Sequence, residues 1–182
     1  MTDCYLTCNF FELFEVPVSY YVDLDVVHRA YMDLQKQVHP DNYANESDER
    51  KRISMQQTSR VNEAYNTLKD GVMRAAYMLT LKGVDIKLSN ETTKDMAFLM
   101  EQMQTRERLE NIRNEDDPLS ALDDMAQQVK ATTQKLEAAF DQAFEHDELE
   151  QARECVRKLQ FMKKAKNEIE SAMADIEDEM MS

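Results

Sequence analysis

Residues 35–47, QKQVHPDNYANES, set a titratable ring, a helix breaker and an acid side by side at His39, Pro40 and Asp41. Three chemistries suit such a trio: general-base catalysis with Asp41 orienting His39, one corner of a metal site, or a recognition tip offered to another protein. Catalysis also needs a nucleophile or substrate cradle in a concave pocket. Only Asn42, Tyr43 and Asn45 stand nearby, and no glycine-rich phosphate loop occurs. The residues therefore argue against an enzyme. For a metal, Cys4 and Cys8 have C-x3-C spacing, but no second Cys or His pair completes a four-ligand set. Both are expected as reduced thiols, with no metal and no cofactor. His28, beside the apolar stripe of its helix, reads as a packed or hydrogen-bonded residue, and His146 as a helix-end residue. What the trio favours is recognition.

The elements that position it can be read from composition and period. The 182 residues include two glycines and three prolines, and Glu, Lys, Ala, Leu, Met and Gln dominate, all good helix formers. That predicts an all-α protein. Residues 9–14 read as a short first helix or turn closed by Val16-Pro17. Asp23 is a good cap for the stripe Leu24, Val27, Tyr31, Leu34 and Val38, whose spacing is helical. Pro40 disfavours helical geometry at His39, so this helix should end near Val38. After a polar loop over 42–47, Ile53, Gln57, Val61, Ala64, Tyr65 and Leu68 continue to Lys69, with Asp70-Gly71 as the stop. A short helix then runs to Gly83. The two longer helices form an antiparallel hairpin with His39–Asp41 in its loop.

Residues 83–91 read as a linker in which Ser89 or Asn90 caps the next helix. Three long helical patterns remain, roughly 92–114, 118–146 and 147–179, with Pro118 at a first helical position. Short connections make them an antiparallel three-helix bundle. The domains are thus 1–82 and 92–182, joined by 83–91.

The net charge of -14 argues strongly against nonspecific nucleic-acid binding, since phosphates would be repelled. It is uneven: net -3 over residues 1–82 and net -11 over 83–182. Three cysteines make no disulfide framework. No secretory core, transit peptide or apolar run of about 18 residues is present, so a cytoplasmic protein without a membrane partner is expected.

The first helix of the bundle has more apolar residues than one core stripe needs. At about 100° per residue, Phe98, Leu109 and Ile112 cluster within about 60°, while Met96, Leu99, Met100 and Met103 centre about 160° away. On the last helix Val156, Leu159, Met162 and Met173 mark the inward side, and Phe161 points almost the other way. An exposed Phe and an exposed Leu/Met cluster predict a binding surface, which methionines make adaptable. The competing expectation is that the methionines pack against the first domain.

The order of segments carries a resemblance. FFELFEVP, LQKQVHPDNYA, VNEAYNTLKDGVMRAAYMLTLKG, DMAFLMEQMQTRERLENI and RKLQFMKKA follow one another along nearly the whole chain. The hairpin bearing HPD resembles the J-domain of DnaJ-type co-chaperones, and the full series resembles the HscB-type co-chaperones of iron–sulfur cluster assembly. The resemblance implies an all-α, L-shaped protein: a J-domain, with short helices flanking its hairpin, and a C-terminal three-helix bundle. It implies no reaction of the chain's own. The J-domain would stimulate ATP hydrolysis by a DnaK-type, HscA-like chaperone through His39, Pro40 and Asp41. Arg29 and Lys36 would supply a basic face, diluted by Asp25 and Asp33, and Asn42 stands where relatives often have a basic residue. The bundle would hold the scaffold IscU through Leu99, Met100, Met103, Gln104, Glu107 and Phe161, with Met103 and Gln104 standing where leucine and glutamate are usual. A J-domain adaptor for a different client is the rival reading.

Overall fold

The computed structural model describes residues 4–43 and 46–181. The side chains of Cys4 and Leu6, and Ala44 and Asn45 of the expected polar loop, lie outside the described residues. Eight α-helices occur among those described: α1 (Cys4–Thr7), α2 (Phe10–Leu13), α3 (Leu24–Val38), α4 (Asp48–Lys69), α5 (Gly71–Leu81), α6 (Met96–Glu110), α7 (Pro118–Glu145) and α8 (Leu149–Met181). Single 3-10 turns lie at Pro40–Tyr43 and Ile112–Asn114, and no strand is found among the described residues. The chain divides into two compact units, 1–81 and 82–182. No helix among the described residues is long and apolar enough to cross a membrane.

In the first unit, α3 and α4 run antiparallel, because contacts at one end of α3 match the opposite end of α4. The Tyr31 and Tyr65 rings stack at 4.1 Å, and His28 Nδ1 and the Tyr65 hydroxyl are hydrogen-bonded at 3.0 Å. Further along, Tyr31 donates to Asn62 at 3.0 Å. The buried face of α4 is Ser54, Gln57, Val61, Ala64 and Leu68, so Ser54 takes the place expected of Ile53, which is only half-buried. The aromatic run of α2 closes the core. Phe10 stacks on Tyr77 at 4.3 Å and its amide donates to the Tyr77 hydroxyl at 2.9 Å, while Phe11 and Phe14 are fully buried.

Two local expectations are corrected. Cys8 is disulfide-bonded rather than a reduced thiol. Gly71 is not a stop but the first residue of α5. Asp70 breaks the chain there instead: it ends α4, and its carboxylate accepts from the amides of Val72 and Met73 at 3.1 and 3.0 Å, starting α5. Glycine is required at 71 for space, since a Cβ would meet the Tyr20 hydroxyl at 2.8 Å.

In the second unit, α7 and α8 form a long antiparallel pair, and α6 lies against it through side chains. Asp117 caps α7 by accepting from the Ser120 amide at 3.1 Å, with Pro118 in the first turn. The corner into α8 turns on Asp147 at φ 62°, where Lys82 also reaches its carboxylate at 2.9 Å. His146 is the helix-end residue, its Nδ1 2.7 Å from the Gln142 carbonyl oxygen. Leu122, Met125, Val129, Met162, Ile169 and Ile176 form the core, onto which Phe98 and Ile112 fold. Arg113 forks onto both oxygens of Glu179 at 2.8 and 2.6 Å, tying the turn after α6 to the end of α8.

Gly71→Ala tests the packing account. Alanine is the better helix former, yet Tyr20, whose hydroxyl it would meet, is buried. Overpacking costs of about 1–3 kcal/mol should prevail, lowering the urea midpoint of the first unit; a raised midpoint would show that Tyr20 yields.

Candidate functional site

The tip forms where α3 runs out of partners for its backbone. A helix leaves its last carbonyls without intrahelical donors, and here side chains supply them. The Val38 carbonyl accepts from the Ser54 and Thr58 hydroxyls at 2.7 and 2.9 Å. Asn42 Nδ2 donates to the Lys36 carbonyl at 2.7 Å, the Tyr43 hydroxyl to that of Gln37 at 3.4 Å, and the Asn42 amide to that of His39 at 3.0 Å. Within the tip, the Asp41 amide donates to His39 Nδ1 at 3.3 Å, and the Asp41 carboxylate lies 3.6 Å from the same nitrogen. His39 and Asp41 are exposed and Pro40 is half-buried. An imidazole, a rigid ring and a carboxylate thus face solvent in fixed relation. Proline lowers the ordering cost of binding such a group.

Arg29 and Lys36 are exposed on α3. Lys36 pairs with Asp33 at 3.2 Å, and Arg29 Nε donates to the Asp25 carbonyl at 3.3 Å. The basic face is therefore partly spent on its own helix. The structure brings His39, Pro40 and Asp41 together, with Lys36 one turn before them. Sequence reading missed Ser54 and Thr58; the available signal was a hydroxyl in the apolar stripe of α4.

On α6 the two apolar clusters separate as the period requires. Phe98 and Ile112 are buried, and Leu109 packs on the same core. Met96, Met100 and Met103 are 68%, 58% and 71% exposed. With Leu99, they line an open apolar groove whose opposite wall is Phe161, Ala165 and Ile169 of α8. Phe161 is not the exposed side chain expected. It is half-buried and edge-on to Phe98 at 5.8 Å and 82°, because α6 crosses α8 there and supplies a ring to pack on. Leu99, Met100, Met103 and Phe161 therefore share one groove. Gln104 lines a separate polar groove toward α7 with Met125 and Gln128, and exposed Glu107 lines neither.

The groove exists because α6 is pinned at its start. The expected cap, Ser89 or Asn90, is replaced by Asp95, which accepts from the Phe98 amide at 3.1 Å; α6 thus begins at Met96, not near 92. Residues 91–95 are held on α8 by charge. Glu91 receives Arg153 in a bidentate pair and Arg157 at 3.0 Å. Lys158 reaches Asp95 at 2.7 Å, and Thr93 donates to Glu154. The two guanidinium groups hold the Glu91 carboxyl at about 2, against an ordinary 4.5. Elsewhere, burial pushes the Cys155 thiol up. No cluster of three His, Cys, Asp or Glu suited to a metal occurs among the described residues.

Comparison with known proteins bears on both sites. A family profile described as "DnaJ domain" matches residues 9–77, and one described as "HSCB C-terminal oligomerisation domain" matches residues 94–170. The chain is 43% identical over 167 residues to the co-chaperone protein HscB homolog of Shewanella loihica, covering 90% of this chain and 96% of that one. With the homolog of Photobacterium profundum it shares 40% identity over 89% of this chain and 95% of that one. Among solved structures, chaperone HscB from Vibrio cholerae superposes with a TM-score of 0.84 at 36% identity, covering 94% of this chain and 99% of that one. Human co-chaperone protein HscB gives 0.81 at 30%, covering 91% and 82%.

The Glu91 pairs predict a pH dependence. Folding lowers this carboxyl below its unfolded value, so its contribution is complete above pH 4.5 and is lost as pH falls through about 2. Glu91→Gln should cost the second unit about 2 kcal/mol at neutral pH, read by urea denaturation. The difference from the native chain should shrink as acid is added, and a constant difference would show that the pairs are not the cause.

Proposed function

The chain belongs to the HscB family of J-domain co-chaperones, and from that premise we propose that it couples a DnaK-type, HscA-like chaperone to the scaffold IscU in iron–sulfur cluster assembly. The reading sets this work in the cytoplasm. The first unit presses the chaperone's ATPase through His39, Pro40 and Asp41, with Arg29 and Lys36 as a weak basic flank. The second unit holds the scaffold in the groove of Leu99, Met100, Met103 and Phe161. Gln104, in the separate groove toward α7, and exposed Glu107 would add polar contacts outside that groove. No bond is made or broken by the chain itself. By holding two partners at once it raises their effective concentration.

The observation that supports the reading is the pairing of two separate features on one chain: a fixed, exposed His-Pro-Asp corner, and an exposed methionine-rich groove. Apolar surface of that kind is costly to leave in water and marks a contact site, and methionine adapts to a partner's shape.

Two experiments test the two halves. In steady-state ATPase assays with the purified HscA-type chaperone, the native chain should stimulate hydrolysis and His39→Gln should abolish stimulation; equal rates would remove the tip from the mechanism. In scaffold pull-downs, Leu99→Ala with Met103→Ala should weaken binding of IscU by at least tenfold, since central apolar anchors each contribute more than about 1 kcal/mol. Met103 is exposed, so the fold should survive. Undiminished capture of IscU would turn the reading toward an adaptor for another client.

A further inference from the structure

We propose that Asn42 and Thr58 are positioning residues for the His39–Asp41 tip, fixing the orientation that its partner reads. This rests on the chaperone-activating reading and names what that tip depends on. The three tip residues lie between two anchors of different origin. Before them, the Val38 carbonyl is held to α4 by Ser54 and Thr58 at 2.7 and 2.9 Å. After them, Asn42 reaches back six residues to the Lys36 carbonyl at 2.7 Å. The Asn42 backbone amide closes the same turn on the His39 carbonyl at 3.0 Å.

These carbonyls end a helix and carry its negative pole. Without side-chain donors, the last turn would be served by water, and the tip would swing about Val38. Asn42 is exposed, so nothing in the core demands a carboxamide there. One of its donors is nonetheless committed to the backbone of its own chain. What position 42 supplies is geometry, not charge. Thr58 makes the point from the other side. It is half-buried on α4 with its hydroxyl on Val38, so its influence on a partner must pass through the tip.

A partner that requires one orientation binds in proportion to the fraction of molecules holding it. The apparent dissociation constant rises by the inverse of that fraction, while the saturated complex is unchanged. Losing one neutral hydrogen bond should therefore raise the half-saturating concentration by up to about fivefold and leave maximal stimulation intact. Loss of the imidazole itself should act on the maximum.

The test titrates the full chain against the purified HscA-type chaperone and reads ATPase stimulation. Native protein is compared with Asn42→Ala, Asn42→Asp, Thr58→Val and His39→Gln. Asn42→Asp keeps the shape but has no donor at neutral pH, and in Thr58→Val the Val38 carbonyl keeps Ser54. Expected are half-saturating concentrations raised by up to about fivefold in all three collar variants, maxima equal to native, and melting temperatures of the first unit near native. Amide exchange at Asn42 should quicken in these variants while Val61 and Leu68 stay protected. Unchanged half-saturation in Asn42→Ala and Thr58→Val, with the native chain active, overturns the inference. So does native behaviour of Asn42→Asp, because the donor would then be irrelevant. No stimulation by the native chain overturns the underlying reading, and this inference with it.

Discussion

The carbonyl oxygen of Val38 accepts two hydroxyls from a neighbouring helix, and the His-Pro-Asp corner depends on it. A helix end is a row of unpaired acceptors. Many chains end one with glycine in the left-handed region, but this chain has two glycines in 182 residues. One of them, Gly83 at φ 83°, follows α5 in that region; the helix starts, and the end of α3, rely on polar side chains. Asn9, Asp23, Ser47, Asp95 and Asp117 each accept from backbone amides at a helix start, and Asp70 does so between α4 and α5. Side-chain caps fix the direction of the adjoining turn as well as the helix start. At the end of α3 that fixity is what makes a three-residue corner usable as a rigid tip.

Charge does in the second unit what caps do in the first. The segment before α6 carries Glu91 and Asp95, and α8 answers with Arg153, Arg157 and Lys158. Exposed pairs of this kind contribute little. These are half-buried, bidentate in one case, and share partners, so the network holds a whole segment in register. The acid-rich composition therefore has a local exception on α8, where basic residues are consumed internally.

Once α6 is pinned by its start, its period decides the rest. A helix 15 residues long with apolar residues on opposite sides can bury only one of them against a two-helix floor. Phe98 and Leu109 take the core, and Met96, Met100 and Met103 are left in solvent. Most of the surface of each of those methionines stays in water, where it adds less to stability than a core side chain would. Phe161 joins the groove as a wall because Phe98 offers its ring an edge-on partner.

The sequence alone determined what depends on neighbours along the chain. The limits of α3, its Asp23 cap, the stop imposed by Pro40, the start of α7 at Pro118 and the opposite apolar sides of α6 all come from local geometry and period. So did the resemblance, since motif order needs no coordinates. Tertiary structure decided whatever needed a partner far along the chain. Glycine at 71 answers to Tyr20, the start of α6 answers to α8, the place of Phe161 answers to Phe98, and Ser54 and Thr58 answer to Val38. In each, a side chain's role is set by an atom dozens of residues away or on another helix, which no spacing rule can supply.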